Sequence, residues 1–388
     1  MVKSVIEMKH INITLFAILV FSLALHLGAL FLNHIEGDEV IYQTLAEKLS
    51  KNPLDYTLQG TYIINQLPET HNKPLYVFHP PLFCLLLAFI KVILGARLEI
   101  LIPIISALLT TFLVFLIAGE LYDKKVALWA AAINAICPVF LQASTKIWMD
   151  ATVTLFITAS VYMALIAIKK ERLIYYVFLG CFIGFSLWIK LTATIILPVI
   201  ILILLYKNRP RKNIIYALCA LGLAFLLISP WFYWLYAVFG SISFSWLKVN
   251  QEFLEMFPFA KMVKERPFYF YITNFIVVAP IYLFSFVYLV TGLKKGIRLI
   301  ESIWVICFIG VFTFSGYVMN FGYIMRYTLP ATPAMAILAA SFITEKNKPI
   351  VYIISIIFLG YGLLVGILNS YVFQLADTFP LQYFLRPN

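Results

Sequence analysis

The chain has 388 residues, 63% of them hydrophobic and only 12% charged, with a mean hydropathy of +0.94. Soluble domains average roughly 45–50% apolar and about 25% charged residues, so the composition excludes a soluble protein and specifies an integral, multi-pass membrane protein. The net charge of +11 does not mark a nucleic-acid binder, because the lysines and arginines sit in short clusters between apolar runs, where they set topology.

Residues 11–32 carry no Lys, Arg, Asp or Glu and are long enough to span the roughly 30 Å hydrocarbon core as a retained anchor. Three carboxylates follow within four residues: Glu36, Asp38 and Glu39. They open a polar external loop, 34–79. Its first part, Asp38 to Asn52, places Val40, Ile41, Leu45, Ala46 and Leu49 at the spacing of an amphipathic helix, expected to lie on the membrane surface.

Apolar runs then recur at about 82–96, 98–121, 126–145, 151–168, 173–206, 213–231, 268–291, 302–319, 327–343 and 349–369, with 173–206 divided at Lys190. Each span is expected to be helical, since lipid offers the backbone no other hydrogen-bond partner. Lys3 with Lys9, Lys169-Lys170-Glu171-Arg172, Lys207 to Lys212, Lys294 to Arg298, and Lys346 with Lys348 read as cytoplasmic. That leaves the acidic stretch, Asp150, Lys190, the loop 232–267, Arg326 and the C-terminal tail outside. About 11 spans result, with a cytoplasmic N-terminus. Asp123-Lys124-Lys125 also reads as cytoplasmic, so one of the three runs between His79 and Asp150 does not cross; the short run 82–96, which contains Lys91, is expected to be tilted or re-entrant. The loop 232–267 mixes Trp234, Trp246 and Phe253 with Lys248, Lys261, Lys264 and Arg266, the makeup of an interfacial lid or of an aromatic belt with snorkelling cations. Cys84, Cys137, Cys181, Cys219 and Cys307 all lie in apolar segments without metal-like spacing and read as buried free thiols.

Polar groups at the edge of a lipid-embedded bundle are costly and therefore candidate functional residues. Asp38 and Glu39 either cap the amphipathic helix or hold a general base at the membrane surface. Phe78-His79-Pro80-Pro81-Leu82 is a stiff lead into the next helix. Glu36, Asp38, Asp150 and His79 leave room for a divalent metal ion, although their spacing matches no recognised site. Asp150 is either a helix cap or a second acid, and Lys190 either snorkels or faces an anion. Arg326, in Tyr323-Ile-Met-Arg-Tyr-Thr-Leu-Pro330, offers a fork suited to phosphate.

The order Gly37-Asp38-Glu39, His79-Pro80-Pro81-Leu82, Asp150-Ala151, Gly184 to Lys190-Leu-Thr-Ala193, Pro230-Trp231 and Arg326-Tyr327 to Leu329-Pro330 resembles the GT-C glycosyltransferases. Within them it is most similar to the branch of protein O-mannosyltransferases and lipid A aminoarabinose transferases, over roughly residues 10–345. The resemblance implies one GT-C-type all-α domain over 1–388 that uses an undecaprenyl or dolichyl phosphate sugar as donor and an extracytoplasmic protein, glycan or lipid as acceptor, in the plasma or inner membrane. It implies catalytic roles for Asp38, Glu39 and Asp150. It also places Tyr76, His79, Lys190 and Tyr327 around the donor phosphate, with Arg326 a plausible addition. Phe78 stands where the aminoarabinose enzymes carry a glutamate, which argues against that exact activity and against a metal. One-step displacement with Asp38 as base would invert the anomeric carbon. The rival classes are a secondary transporter, which would favour charges near helix centres, and a noncatalytic lipid-binding scaffold.

Overall fold

The computed structural model describes residues 2–33, 35–67, 71–205, 211–241, 266–295, 298–318 and 323–372. His34, Lys207, residues 242–265 and the tail from 373 therefore lie outside the described residues. Every regular element among those described is helical.

Among the described residues seven helices are long and apolar enough to cross a bilayer, or up to nine if two bent pairs each count as one span. The expected 11 is not confirmed among them. Three of the apolar runs form shorter helices, Leu82–Leu94, Leu173–Ile189 and Leu191–Leu205; at 1.5 Å per residue even 17 residues reach only about 25 Å. The long spans are α1 (Val2–Leu27), α4 (Leu101–Leu121), α7 (Met149–Lys170) and α10 (Arg211–Phe239), followed by the span Leu299–Tyr317, by α15 (Thr332–Lys346), which a tight turn at Met325–Ala331 extends, and by α16 (Pro349–Ile367). The described part of the expected loop 232–267 is partly helix, because α10 runs on past Pro230 to Phe239.

The amphipathic helix forms as α2 (Asp38–Lys51), but its apolar stripe does not rest on lipid. Ile41, Tyr42, Leu45, Ala46 and Leu49 are buried, packed on α3 (Leu82–Leu94), with the Tyr42 and Phe83 rings edge to face at 5.5 Å. Near the other end of α3, Lys91 pairs with Glu47 of α2 and lies 3.9 Å from Glu99, while Gln43 donates to Glu99 at 2.7 Å. Both ends of α3 thus stay beside α2, and at 13 residues α3 is shorter than the candidate spans, as the expectation of a tilted or re-entrant segment requires. α4 is long and apolar enough for one crossing, and α5 (Lys124–Ala135) with α6 (Pro138–Ser144), bent by 55°, counts as a second if the pair forms one span, which would satisfy the even number of crossings expected between His79 and Asp150.

The far ends of these spans collect the basic clusters. Lys169 pairs with Glu120 at 2.6 Å, Lys212 with Glu171 at 3.3 Å, and Arg298 with Glu345. Lys125 donates to Asn347 at 3.0 Å. The bundle therefore has a basic end and an opposite end that carries α2 and α3.

Without a hydrophobic drive between helices in lipid, close packing requires small residues. Between α8 (Leu173–Ile189) and α10 a Cβ on Gly180 would meet the Ala220 carbonyl oxygen at 2.5 Å, and one on Gly184 would meet Leu227 at 2.7 Å. Since Lys190 ends α8, this contact sets its height. Gly180→Val is expected to separate the two helices at a cost of about 1–3 kcal/mol, read as a lower thermal midpoint in detergent, whereas Gly222→Ala, which meets nothing within 4 Å, should leave the midpoint unchanged.

Candidate active site

Asp38 is the first residue of α2, and Gly37 before it takes φ 56°, ψ −125°, a backbone conformation that side chains oppose. No side chain caps this helix, so the Asp38 carboxylate is not spent on the local backbone. It reaches instead to Arg326, 288 residues away. Asp150 stands in the first turn of α7, again without a capping bond, and accepts from the Lys190 ammonium at 2.8 Å. Both capping alternatives are therefore excluded.

Lys190 ends α8 in extended backbone, φ −154°, ψ 121°, before a short turn at 191–196 resumes the chain direction. That break drops its side chain into the protein, 9% exposed, rather than out to the membrane surface. Arg326 follows an extended Ile324. Its second contact is Asp150, 3.9 Å from Nε to Oδ2, and this buried Nε–H has no hydrogen-bond acceptor. Two acids and two bases thus meet at the α2 end of the bundle, alternating in sign: Asp38, Arg326, Asp150, Lys190. Such pairing is required, because an isolated buried charge costs several kcal/mol.

Aromatic faces hold the two cations. Arg326 lies over the Trp148 ring at 4.4 Å, and Lys190 over the Tyr327 ring at 4.6 Å, contacts that strengthen when water is excluded. Tyr76 is buried and ring-packed against Tyr56 at 5.6 Å and Phe78 at 5.4 Å. Burial, and then the nearby Asp38 charge, raise its phenol well above the ordinary tyrosine value, so it remains a donor. His79 sits beside the Tyr42 ring at 6.4 Å. Burial first and Lys190 second lower its imidazole to about 3, so it is neutral here. Burial acts to raise the Asp38 carboxyl, but Arg326, aided by Lys190, outweighs it and holds the group below the usual carboxylate range. Some 30% of the Asp38 side chain stays exposed.

Of the residues singled out from the sequence, Asp38, Tyr76, His79, Asp150, Lys190, Arg326 and Tyr327 come together. Glu39 and Glu36 do not join them. Glu39 is fully buried, accepts the Ile147 N–H at 2.7 Å and the Asn33 amide at 3.0 Å, and faces Lys146 at 3.6 Å; Glu36 meets the same lysine at 3.5 Å. The divalent-metal alternative finds no fit. Among the described residues no three His, Cys, Asp or Glu side chains group as ligands, and the two site carboxylates already face cations. Trp148, Tyr42 and Lys146 were not singled out as site residues. Lys146, a charge closing the apolar run 126–145, was the available signal.

Residues 78–234 match the family of dolichyl-phosphate-mannose-protein mannosyltransferases. The chain is 28% identical over 269 residues to the undecaprenyl phosphate-alpha-4-amino-4-deoxy-L-arabinose arabinosyl transferase 1 of Proteus mirabilis, covering 63% of this chain and 45% of that protein. Among solved structures it is similar to ArnT from Cupriavidus metallidurans, in the apo state (TM-score 0.66, 17% identity, 94% of this chain and 65% of that one) and bound to undecaprenyl phosphate (TM-score 0.66, 16% identity, 92% and 64%). It is also similar to the oligosaccharyltransferase AglB from Archaeoglobus fulgidus in complex with an inhibitory peptide and a dolichol-phosphate (TM-score 0.65, 14% identity, 92% and 56%). The chain thus spans less than two thirds of the length of each of these relatives, from 45% to 65%. Its fold is similar to that of the ArnT structures, in line with the all-α bundle that its motifs lead one to expect.

Asp150→Ala would leave Lys190 buried without its partner and is expected to destabilise the fold by about 3–5 kcal/mol. The double variant Asp150→Ala/Lys190→Met should recover most of that loss, both read by chemical denaturation in detergent. The neutral His79 imposes a pH dependence of known sign. Its folded-state value lies below the model-peptide 6.5, so its contribution is complete above about pH 6.5 and is lost as pH falls toward 3. His79→Gln should flatten this part of a stability–pH curve.

Proposed function

We propose that the chain is a membrane glycosyltransferase that takes a sugar from a polyprenyl-phosphate carrier, undecaprenyl or dolichyl, and passes it to a protein, glycan or lipid acceptor on the outer face of the membrane. The observation that carries the reading is the Asp38–Arg326–Asp150–Lys190 array at the α2 end, with the unmet Arg326 Nε–H. A buried donor without an acceptor calls for a ligand, and a phosphodiester oxygen fits an arginine fork. The family match over 78–234 and the fold shared with ArnT bound to undecaprenyl phosphate support the same carrier chemistry. The basic clusters at the opposite end support an outward-facing site by the positive-inside rule.

A sugar phosphodiester already has a good leaving group, so the protein has two tasks: to accept the acceptor's proton and to stabilise the departing phosphate. Asp38, the more exposed acid, is the base. As the acceptor oxygen bonds to the anomeric carbon, its proton passes to Asp38 and the bond from that carbon to the phosphate oxygen breaks, with inversion. Lys190 and Arg326 take up the phosphate charge, with Tyr76, His79 and Tyr327 lining the donor side. Arg326 has to turn from Asp38 toward the phosphate, which releases the carboxylate from the charge that depresses its basicity. Asp150 remains as the counter-ion that keeps both cations in place. All four charged groups stand at or beside helix ends, where a transport path through the bundle would want them near helix centres.

Radiolabelled polyprenyl-phosphate sugars offered to proteoliposomes test this reading. Asp38→Asn is expected to lower turnover by about 10²–10⁴-fold with donor binding retained. Arg326→Gln and Lys190→Ala should chiefly weaken donor use, each by roughly tenfold or more. Wild-type protein that neither binds nor turns over any donor of the panel would overturn it.

A further inference from the structure

Lys146 is 2% exposed, among the most deeply buried charges described, and the glycosyl-transfer reading assigns it no part. It stands in the turn between α6 and α7. Its ammonium lies 3.6 Å from Glu39 and 3.5 Å from Glu36, so it meets both acids that flank Asp38 in the first loop. The contact is reinforced along the backbone: the next residue, Ile147, donates its N–H to Glu39 at 2.7 Å, Asn33 at the end of the first span donates at 3.0 Å, and the Glu36 N–H closes the loop at 3.4 Å. Glu39 is a junction between three segments.

Adjacent residues on a helix do not share a face. With Glu39 locked inward, Asp38 is turned toward the site. On the other side of the junction, Trp148 is two residues beyond Lys146 and supports Arg326 at 4.4 Å, and Asp150 is four residues beyond. Each member of the array except Lys190 and Arg326 is thus attached directly to this junction, and Arg326 rests on it through Trp148.

We infer that Lys146 is a positioning residue: through its ion pair with Glu39 it fixes the loop of Asp38 to the turn of Trp148 and Asp150, so that base and phosphate-binding cation keep one separation. The inference rests on the proposed reaction only for its consequence in rate; the junction itself has a readout of its own. A buried pair of this kind adds little to net stability but specifies one arrangement, and misplacing a reacting group by about 1 Å can cost on the order of 100-fold in rate.

The test uses the full chain in proteoliposomes. Lys146→Met and Glu39→Gln are each expected to lower kcat by about 100-fold while the donor KM changes by less than about threefold. The double variant should be no worse than the worse single one, the mark of two groups acting as a unit, and Lys146→Arg should restore most of the rate. If Lys146→Met does not fold, the double variant, which buries no lone charge, carries the test. A double variant with kcat within about twofold of wild type overturns the inference, as does a loss that falls equally on donor KM. Hydrogen exchange gives the independent readout: residues 35–45 and 144–152 should both exchange faster in Lys146→Met while the body of α4 does not. No change in either segment overturns the junction even where turnover is absent. Absence of wild-type turnover with the exchange response intact would instead overturn the glycosyltransferase reading.

Discussion

Everything at the α2 end of this bundle answers to one constraint, the neutralisation of charge where water is scarce. Two carboxylates and two cations in a low-dielectric setting interact far more strongly than at a wet surface, and any one of them alone is intolerable. The four come from four separate segments, so satisfying them ties together α2, the start of α7, the end of α8 and the approach to α15. The bundle's packing brings these segments near one another; the alternation of sign determines which side chains face.

The same demand explains why the backbone is irregular there. A continuous helix through Lys190 or Ile324 would leave no free termini and would carry the next charged side chain around the helix axis. Extended residues at both positions interrupt the helix and aim the cation inward. Irregular backbone at membrane depth is tolerated only where protein surrounds it, and the short helices α3 and α8 pack against α2 and α10 in the way that rule requires. Gly180 and Gly184 let α8 approach α10 closely, which links the height of Lys190 to a contact well inside the bundle.

The proposed function draws on the array's imbalance of exposure. Asp38 is 30% exposed while Asp150 is 5% exposed, so the two acids are suited to different work, one to meet an incoming group and the other to hold cations. With Arg326 as partner, Asp38 is a weak base; in the proposed reaction a phosphodiester that draws Arg326 away would strengthen it. The resting ion pair would then couple occupancy by an anionic donor to basicity toward the acceptor. In the inferred junction, Glu39 and Lys146 would limit from behind how far the loop moves as the arginine turns.

Residue chemistry alone was enough for the membrane class, for helices throughout and for the amphipathic helix after the first span. Of the residues that the structure brings together, Asp38, His79, Asp150, Lys190 and Arg326 are legible because polar groups stand out against apolar runs, whereas Tyr76 and Tyr327 came only with the resemblance in motif order. Three things were decided only by tertiary structure. The number of spans depends on where helices bend or stop short, and α3 stays beside α2 because Lys91, Glu47 and Glu99 meet across segments, which local hydropathy does not record. The use of each carboxylate depends on partners 40 to 288 residues away, so a helix-start acid that reads equally as a cap or a base is resolved only by what it touches. Glu39 and Asp38 are indistinguishable as neighbouring acids in one motif; the turn of the helix sends one to the site and the other to Ile147 and Lys146, because successive side chains on a helix point in different directions.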